Sequence, residues 1–161
     1  ISVWFEKKKG MDAKPLLSSP AFGPRAALLV RALQGIELPA HELADAESLR
    51  WELVRKNLYI VTTNIAGLET GGTVGALWSE HQALARAVAS EVLDIQDWLV
   101  GQPCERERML AGMLEAFEAD PDHGCAGRSA PARLKRALHH ADAAGLAIPT
   151  LRRIAAERGI S

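Results

Sequence analysis

An all-α domain of about six helices, opened by one short strand, is the fold class this sequence predicts. Three observations carry it. Trp51–Leu68, WELVRKNLYIVTTNIAGL, is a long stretch whose apolar residues recur loosely at helical spacing. Further apolar-periodic stretches follow, punctuated by helix stop signals such as Gly71-Gly72, Gly101 and Gly145. Only the opening ISVWFE reads as a strand. A lone strand is not stable by itself: it either pairs within this chain or lacks its sheet, and the second is taken as a hint of a piece of something longer.

The elements follow in order. Ser18 to Gly23 reads as a turn-rich linker. Pro24 suits the first turn of a helix reading PRAALLVRALQ, closed by Gly35. Ile36 to Pro39 reads as extended, since Leu38 precedes a proline. Asp45 is the expected N-cap of a second helix, with Leu49, Leu53, Ile60 and Ile65 on its apolar positions. Leu58-Tyr59-Ile60-Val61 is apolar all round, so this helix is expected at the centre. Ser79 with Gln82 fits a capping box for a third helix to about Val100, with Leu84, Val88, Val92 and Ile95 inward. A fourth helix is expected over Glu105–Ala119, with Met109, Met113, Leu114 and Phe117 inward. A polar loop, ADPDHGCAGRS, precedes a fifth helix capped by Ser129 and ended by Gly145. Ala147-Ile148-Pro149 is a short link, and Pro149 or Thr150 opens the last helix, to Gly159.

Composition narrows the function. The chain has 161 residues, enough for one domain with a real core. Hydrophobic residues are 48% and charged residues 24%, the balance of an ordinary globular protein. A net charge of -1 gives no basic field to favour nucleic acid. Lys7-Lys8-Lys9 beside Gly10 reads as a solvated turn rather than a phosphate site. No apolar run is long enough for a membrane span, and no secretory signal is visible, so a cytoplasmic location is expected. Cys104 and Cys125 lack metal-ligand spacing.

Lys56 and Asn64 are the candidate binding residues. Eight helical steps put them within roughly 80° of one face, two turns apart. An ammonium and a carboxamide so placed can hold an anionic or carbonyl-bearing small molecule. A snorkelling lysine and a structurally bonded asparagine explain the same pattern. His81, His123, His139 and His140 show no zinc pattern, so no metal is expected. Asp120, Asp122 and His123 lack calcium-loop spacing. Neither a P-loop nor a G-x-G-x-x-G turn is present.

The order of these features resembles the C-terminal helical domain of the ketopantoate reductase (2-dehydropantoate 2-reductase) family, of the 6-phosphogluconate dehydrogenase C-terminal-like kind. The residues that carry it are Lys56, Asn64 and Leu68, then Glu91-Val92, Asp122 with Gly127-Arg128, and Gly145-Leu146-Ala147-Ile148-Pro149. The resemblance covers about residues 22 to 159. It implies that residues 1–21 are strand and linker from a preceding Rossmann domain, and 22–161 a substrate-binding and dimerisation domain. It implies NADP as the cofactor, bound upstream of these residues, and a homodimer. Lys56 inherits the general-acid role, hydrogen-bonding the keto oxygen of a 2-oxo acid or related carbonyl. Asn64, Asp122 and Ser129 inherit substrate contacts.

The sequence also departs from the family. Ile60 stands where its first asparagine is expected. Its serine before the loop falls near Glu118 or Ala119, and its glutamate after Gly-Arg falls at Ala130 or Pro131. Losing hydrogen-bonding partners changes which polar substrate a site accepts, so an altered substrate is expected. The alternative is a helical association module that has lost its chemistry.

Overall fold

The computed structural model describes residues 1–7 and 9–160; Lys8 of the basic run lies outside them. It is a mostly helical domain with short strands near its start. Among the described residues the elements are β1 (Phe5–Glu6), β2 (Lys14–Pro15), β3 (Ser19–Ala21), α1 (Ala26–Gln34), β4 (Ala40–Glu42), α2 (Ala46–Thr70), α3 (Val74–Glu80), α4 (Gln82–Val100), α5 (Arg106–Ala119), α6 (Ala130–Ala144) and α7 (Pro149–Glu157). Contacts group the chain into two compact units, Ile1–Lys56 and Asn57 onwards, so α2 contributes to both.

The first unit differs most from expectation. Only Phe5–Glu6 of the ISVWFE stretch is strand, paired antiparallel with Lys14–Pro15. Ser18–Gly23 is not a linker: it contains β3, which pairs in parallel with β4. Ser19 and Ala21 are buried at 0% and 1% exposure. Ser19 Oγ accepts the Trp4 N–H at 2.9 Å, so the serine that looked like turn chemistry closes a buried backbone bond. The extended residues are Ala40–Glu42 rather than Ile36–Pro39; Glu37 has a positive φ of 61° and the chain turns there. Helix α1 joins the two parallel strands, the crossover that parallel pairing requires. Ala21, Ala26, Val30 and Ala40 form a small core between α1 and the strands.

Helix α2 starts as expected: Asp45 Oδ1 accepts the Ser48 N–H at 2.7 Å. This bond is stronger to the charged carboxylate than to the neutral acid and so holds the Asp45 pKa below its ordinary value. Leu58 and Ile65 are 0% exposed, but Leu53 is 46% exposed and not part of the core. Thr63 sits in the helix without breaking it because its hydroxyl donates to Tyr59 O at 2.8 Å. Gly71 and Gly72, at φ 62° and 67°, end the helix in the left-handed region.

In the second unit α4 is the hub, packed by α3, α5, α6 and α7. Its start differs from the expected capping box. Ser79 lies inside α3, whose own N-cap is Thr73, accepting the Ala76 N–H at 3.2 Å. The chain breaks at His81 instead, and no capping box forms. Val88, Val92 and Ile95 are buried as expected, while Leu84 is half-buried. Gly101 and Gly145 take left-handed conformations at the ends of α4 and α6. No helix is long and apolar enough to cross a membrane.

Candidate functional site

The candidate site is built on one stripe of α2. Lys56, Ile60, Asn64 and Gly67 follow each other at intervals of four, four and three, so they share a face of this 25-residue helix. Lys56 is half-buried, with Nζ 5.5 Å from the centre of the Trp4 ring. That is cation–π range. Next to it in sequence, Arg55 is buried at 6% exposure. Its Nη1 reaches Glu52 Oε1 at 3.2 Å, and its guanidinium stands 5.1 Å from the Trp4 ring centre and 5.3 Å from that of Trp51. The ordered cation cluster on Trp4 was not foreseen from the sequence. Its signal was present in Trp4, Trp51 and the Glu52-x-x-Arg55 spacing, an i, i+3 pair.

Asn64 is oriented by its own helix. Its Nδ2 donates to Ile60 O at 2.7 Å, while Oδ1 is buried without a hydrogen-bond partner. A buried acceptor without a donor costs free energy and calls for an explanation, of which a ligand donor is one. A carbon placed on Gly127 would stand 3.7 Å from that oxygen, so the loop before α6 passes directly over Asn64. One turn further on, Gly67 lets the loop come closer still. A β-carbon there would lie 2.4 Å from Cys125 Cβ and 2.5 Å from Ala126 N, closer than atoms can stand. Gly67 is therefore needed for backbone approach in mid-helix, despite its helix cost.

The loop itself is pinned by backbone bonds. Val74 N–H donates to His123 O, Gly75 N–H to Pro121 O, and Cys125 N–H to Gly72 O, each at 2.9 Å. Ala126 takes a positive φ of 53° to make the turn. Asp122 is exposed in this loop. Ser129 is also exposed and stands at the N-cap position of α6, but its side chain makes no cap bond. Its Oγ instead accepts Arg133 Nε–H at 3.1 Å. Among the described residues no hydrogen bond joins Asp122 or Ser129 to Asn64. Asp120 Oδ2 lies 3.8 Å from His123 Nδ1. Among the described residues no cluster of three or more His, Cys, Asp or Glu side chains is placed to hold a metal ion.

Both thiols are poor nucleophiles. Burial pushes Cys125 up to about 11, and burial with the neighbouring Asp97 carboxylate does the same to Cys104. Glu91 has a structural task that spacing did not reveal. It is 8% exposed on α4, and its carboxylate accepts Thr150 N–H at 2.8 Å and Leu151 N–H at 2.9 Å. An anion at a helix N-terminus satisfies free N–H groups and meets the positive end of the helix dipole. The signal was a lone carboxylate within an apolar stripe.

No family model matches the chain, and no curated protein matches it in sequence. Among solved structures, the chain is similar to 2-dehydropantoate 2-reductase from Porphyromonas gingivalis W83, at a TM-score of 0.60 and 16% identity, over 85% of this chain and 42% of that one. The likeness shows a ketopantoate-reductase-like fold. The chain spans less than half the length of that reductase.

Proposed function

We propose that this chain is the C-terminal helical part of a ketopantoate-reductase-like oxidoreductase that reduces a small 2-oxo acid or related carbonyl. The observation that carries the reading is the α2 stripe: a lysine ammonium held on an aromatic ring and, two turns on, a carboxamide with a buried, unpartnered oxygen. Lys56 donates a hydrogen bond to the substrate's carbonyl oxygen. As negative charge develops there, the ammonium stabilises it and supplies the proton. Asn64 positions the substrate, and the Gly127 loop over it closes the polar end of the site. Ile60, half-buried between them, offers methyl groups rather than an amide. That favours a substrate with an apolar substituent at this point over a polar one.

The reducing equivalent comes from a nicotinamide cofactor, NADP in this proposal, held by an upstream domain. No G-x-G-x-x-G turn follows a strand in this chain, so its own residues offer no dinucleotide cradle. Homodimer formation belongs to the same proposal; the exposed Phe22, Leu28 and Leu29 are apolar surface that association or a further domain would cover.

The test is turnover of 2-oxo acids by the protein carrying its nucleotide domain. Lys56→Ala should lower kcat by about 10²–10⁴-fold with little change in cofactor binding. Unchanged turnover would end the assignment. Ile60→Asn should raise affinity for hydroxylated 2-oxo acids relative to aliphatic ones.

A further inference from the structure

A second polar cleft lies within the unit that begins at Asn57. It encloses about 170 Å³ where α2, α4 and α6 meet. Each helix presents one face to it: Asn57 and Val61 from α2, Ile95, Gln96 and Leu99 from α4, Arg133 and Arg136 from α6. The α2 residues are one step on from Lys56 and Ile60, so this face is turned by about 100° from the stripe described above.

Three features make the cleft electrostatically incomplete. Two guanidiniums on successive turns of α6 share it, and among the described residues neither has a carboxylate within ion-pair distance. The acids of the neighbouring helices are committed elsewhere. Asp94 and Asp97 hold Arg106, at 2.7 and 2.8 Å, and Asp142 holds Arg152 at 2.5 Å. Burial first, and the Arg136 charge second, disfavour the charged form of Arg133. The third feature is Gln96. It is only 8% exposed and lines the cleft, yet no hydrogen bond among the described residues holds its carboxamide. A nearly buried amide normally finds a partner.

We propose that this cleft binds a small organic carboxylate with a short apolar body. The Arg133 and Arg136 guanidiniums take the carboxylate, as planar forks suited to two parallel bonds. Gln96 and Asn57 donate from the side, and Val61, Ile95 and Leu99 receive the apolar body. His140, one turn beyond Arg136 on the same face of α6, lies at the cleft's edge. The volume sets the size: it accommodates a few carbons, well below the 300–1,000 Å³ of sites for drug-sized ligands. This inference does not rest on Lys56 or on hydride transfer.

The test is isothermal titration of the chain with isovalerate, acetate and inorganic phosphate at constant ionic strength. Isovalerate should bind saturably, at least about tenfold more tightly than acetate or phosphate. Arg136→Gln, at an exposed position, should weaken isovalerate at least about tenfold with an unchanged melting curve. Leu99→Glu, also at an exposed position, should weaken it by placing a carboxylate against the bound anion. Absence of saturable binding would overturn the proposal. So would equal affinity for phosphate and isovalerate, or affinity unaffected by both substitutions.

Discussion

The two compact units solve the problem of burial differently. The largest fully buried side chains, Leu58, Ile65, Leu77, Leu93, Met113, Leu134, Ile148, Leu151, Ile154, Val74, Val88 and Val92, all lie from Asn57 onwards. The exposed large apolar side chains divide the other way. Ile1, Met11, Phe22, Leu28, Leu29, Ile36 and Leu53 belong to the first unit, against Trp98, Leu99 and Val100 in the second. The second unit thus has a core of its own, closed around α4. The first has a two-strand parallel sheet with one helix on it, and parallel sheets ordinarily have both faces covered. It also carries a polar and aromatic cluster: the Arg55–Glu52 pair, with the Arg55 guanidinium beside the Trp4 and Trp51 rings. The helical unit closes on its own core, while the two-strand parallel sheet leaves more apolar surface exposed.

That contrast can be broken most directly by matched truncations. Leu134→Ala, at 0% exposure, should cost about 2–5 kcal/mol in urea unfolding. Leu28→Ala, at 57% exposure on α1, should stay within about 0.5 kcal/mol in the same assay. Equal costs would mean that the first unit buries Leu28 against a partner in solution. A smaller effect sharpens the picture of the second unit. Glu91→Gln keeps the side chain's shape but removes its charge from the α7 N-terminus, at a cost of about 1–3 kcal/mol. Amide exchange at Thr150 and Leu151 should accelerate before that of α4 does.

The smallest effect belongs to the exposed cap of α2. Asp45 has its pKa lowered in the folded state, below the 3.8 of the free side chain, first by the Ser48 N–H. A depressed carboxylate contributes stability above the unfolded pKa and loses it as the pH falls through the folded one. Asp45→Ala should therefore melt slightly lower than the parent at pH 7, and the difference should vanish well below pH 3.8. A constant difference across that range would place the effect in packing rather than in the charged cap.

Legibility followed the range of the interactions. The bounds of α2, α4, α5, α6 and α7 came within a few residues because Asp45, Gly71, Gly101, Gly145 and Pro149 act on the backbone beside them. β3 was read as linker because its order comes from β4, nineteen or more residues away, and from Trp4; Ser19-Pro20-Ala21 has no local strand pattern. α3 was folded into the start of α4 because Ser79 and Gln82 satisfy a capping pattern by sequence alone, while Thr73 is the cap the chain uses. In the candidate site, Lys56 and Asn64 were visible from helical spacing. The passage of Gly127 over Asn64 was not, since the register of loop on helix depends on Gly67, which is distant in sequence from the Cys125–Ala126 segment it admits.

The approach of Cys125 to Gly67 also gives the loop a built-in clock. With its pKa near 11, the thiol is ionised in only about one molecule in ten thousand at neutral pH, so alkylation of the docked form is slow. An opening of the loop at Gly67 would expose the half-buried sulfur further and raise its ionisation toward that of an ordinary cysteine. The labelling rate at this one atom then counts how often the cover above Asn64 comes away. Thiol labelling would thereby report on how the Asn64–Gly67 end of that stripe is covered.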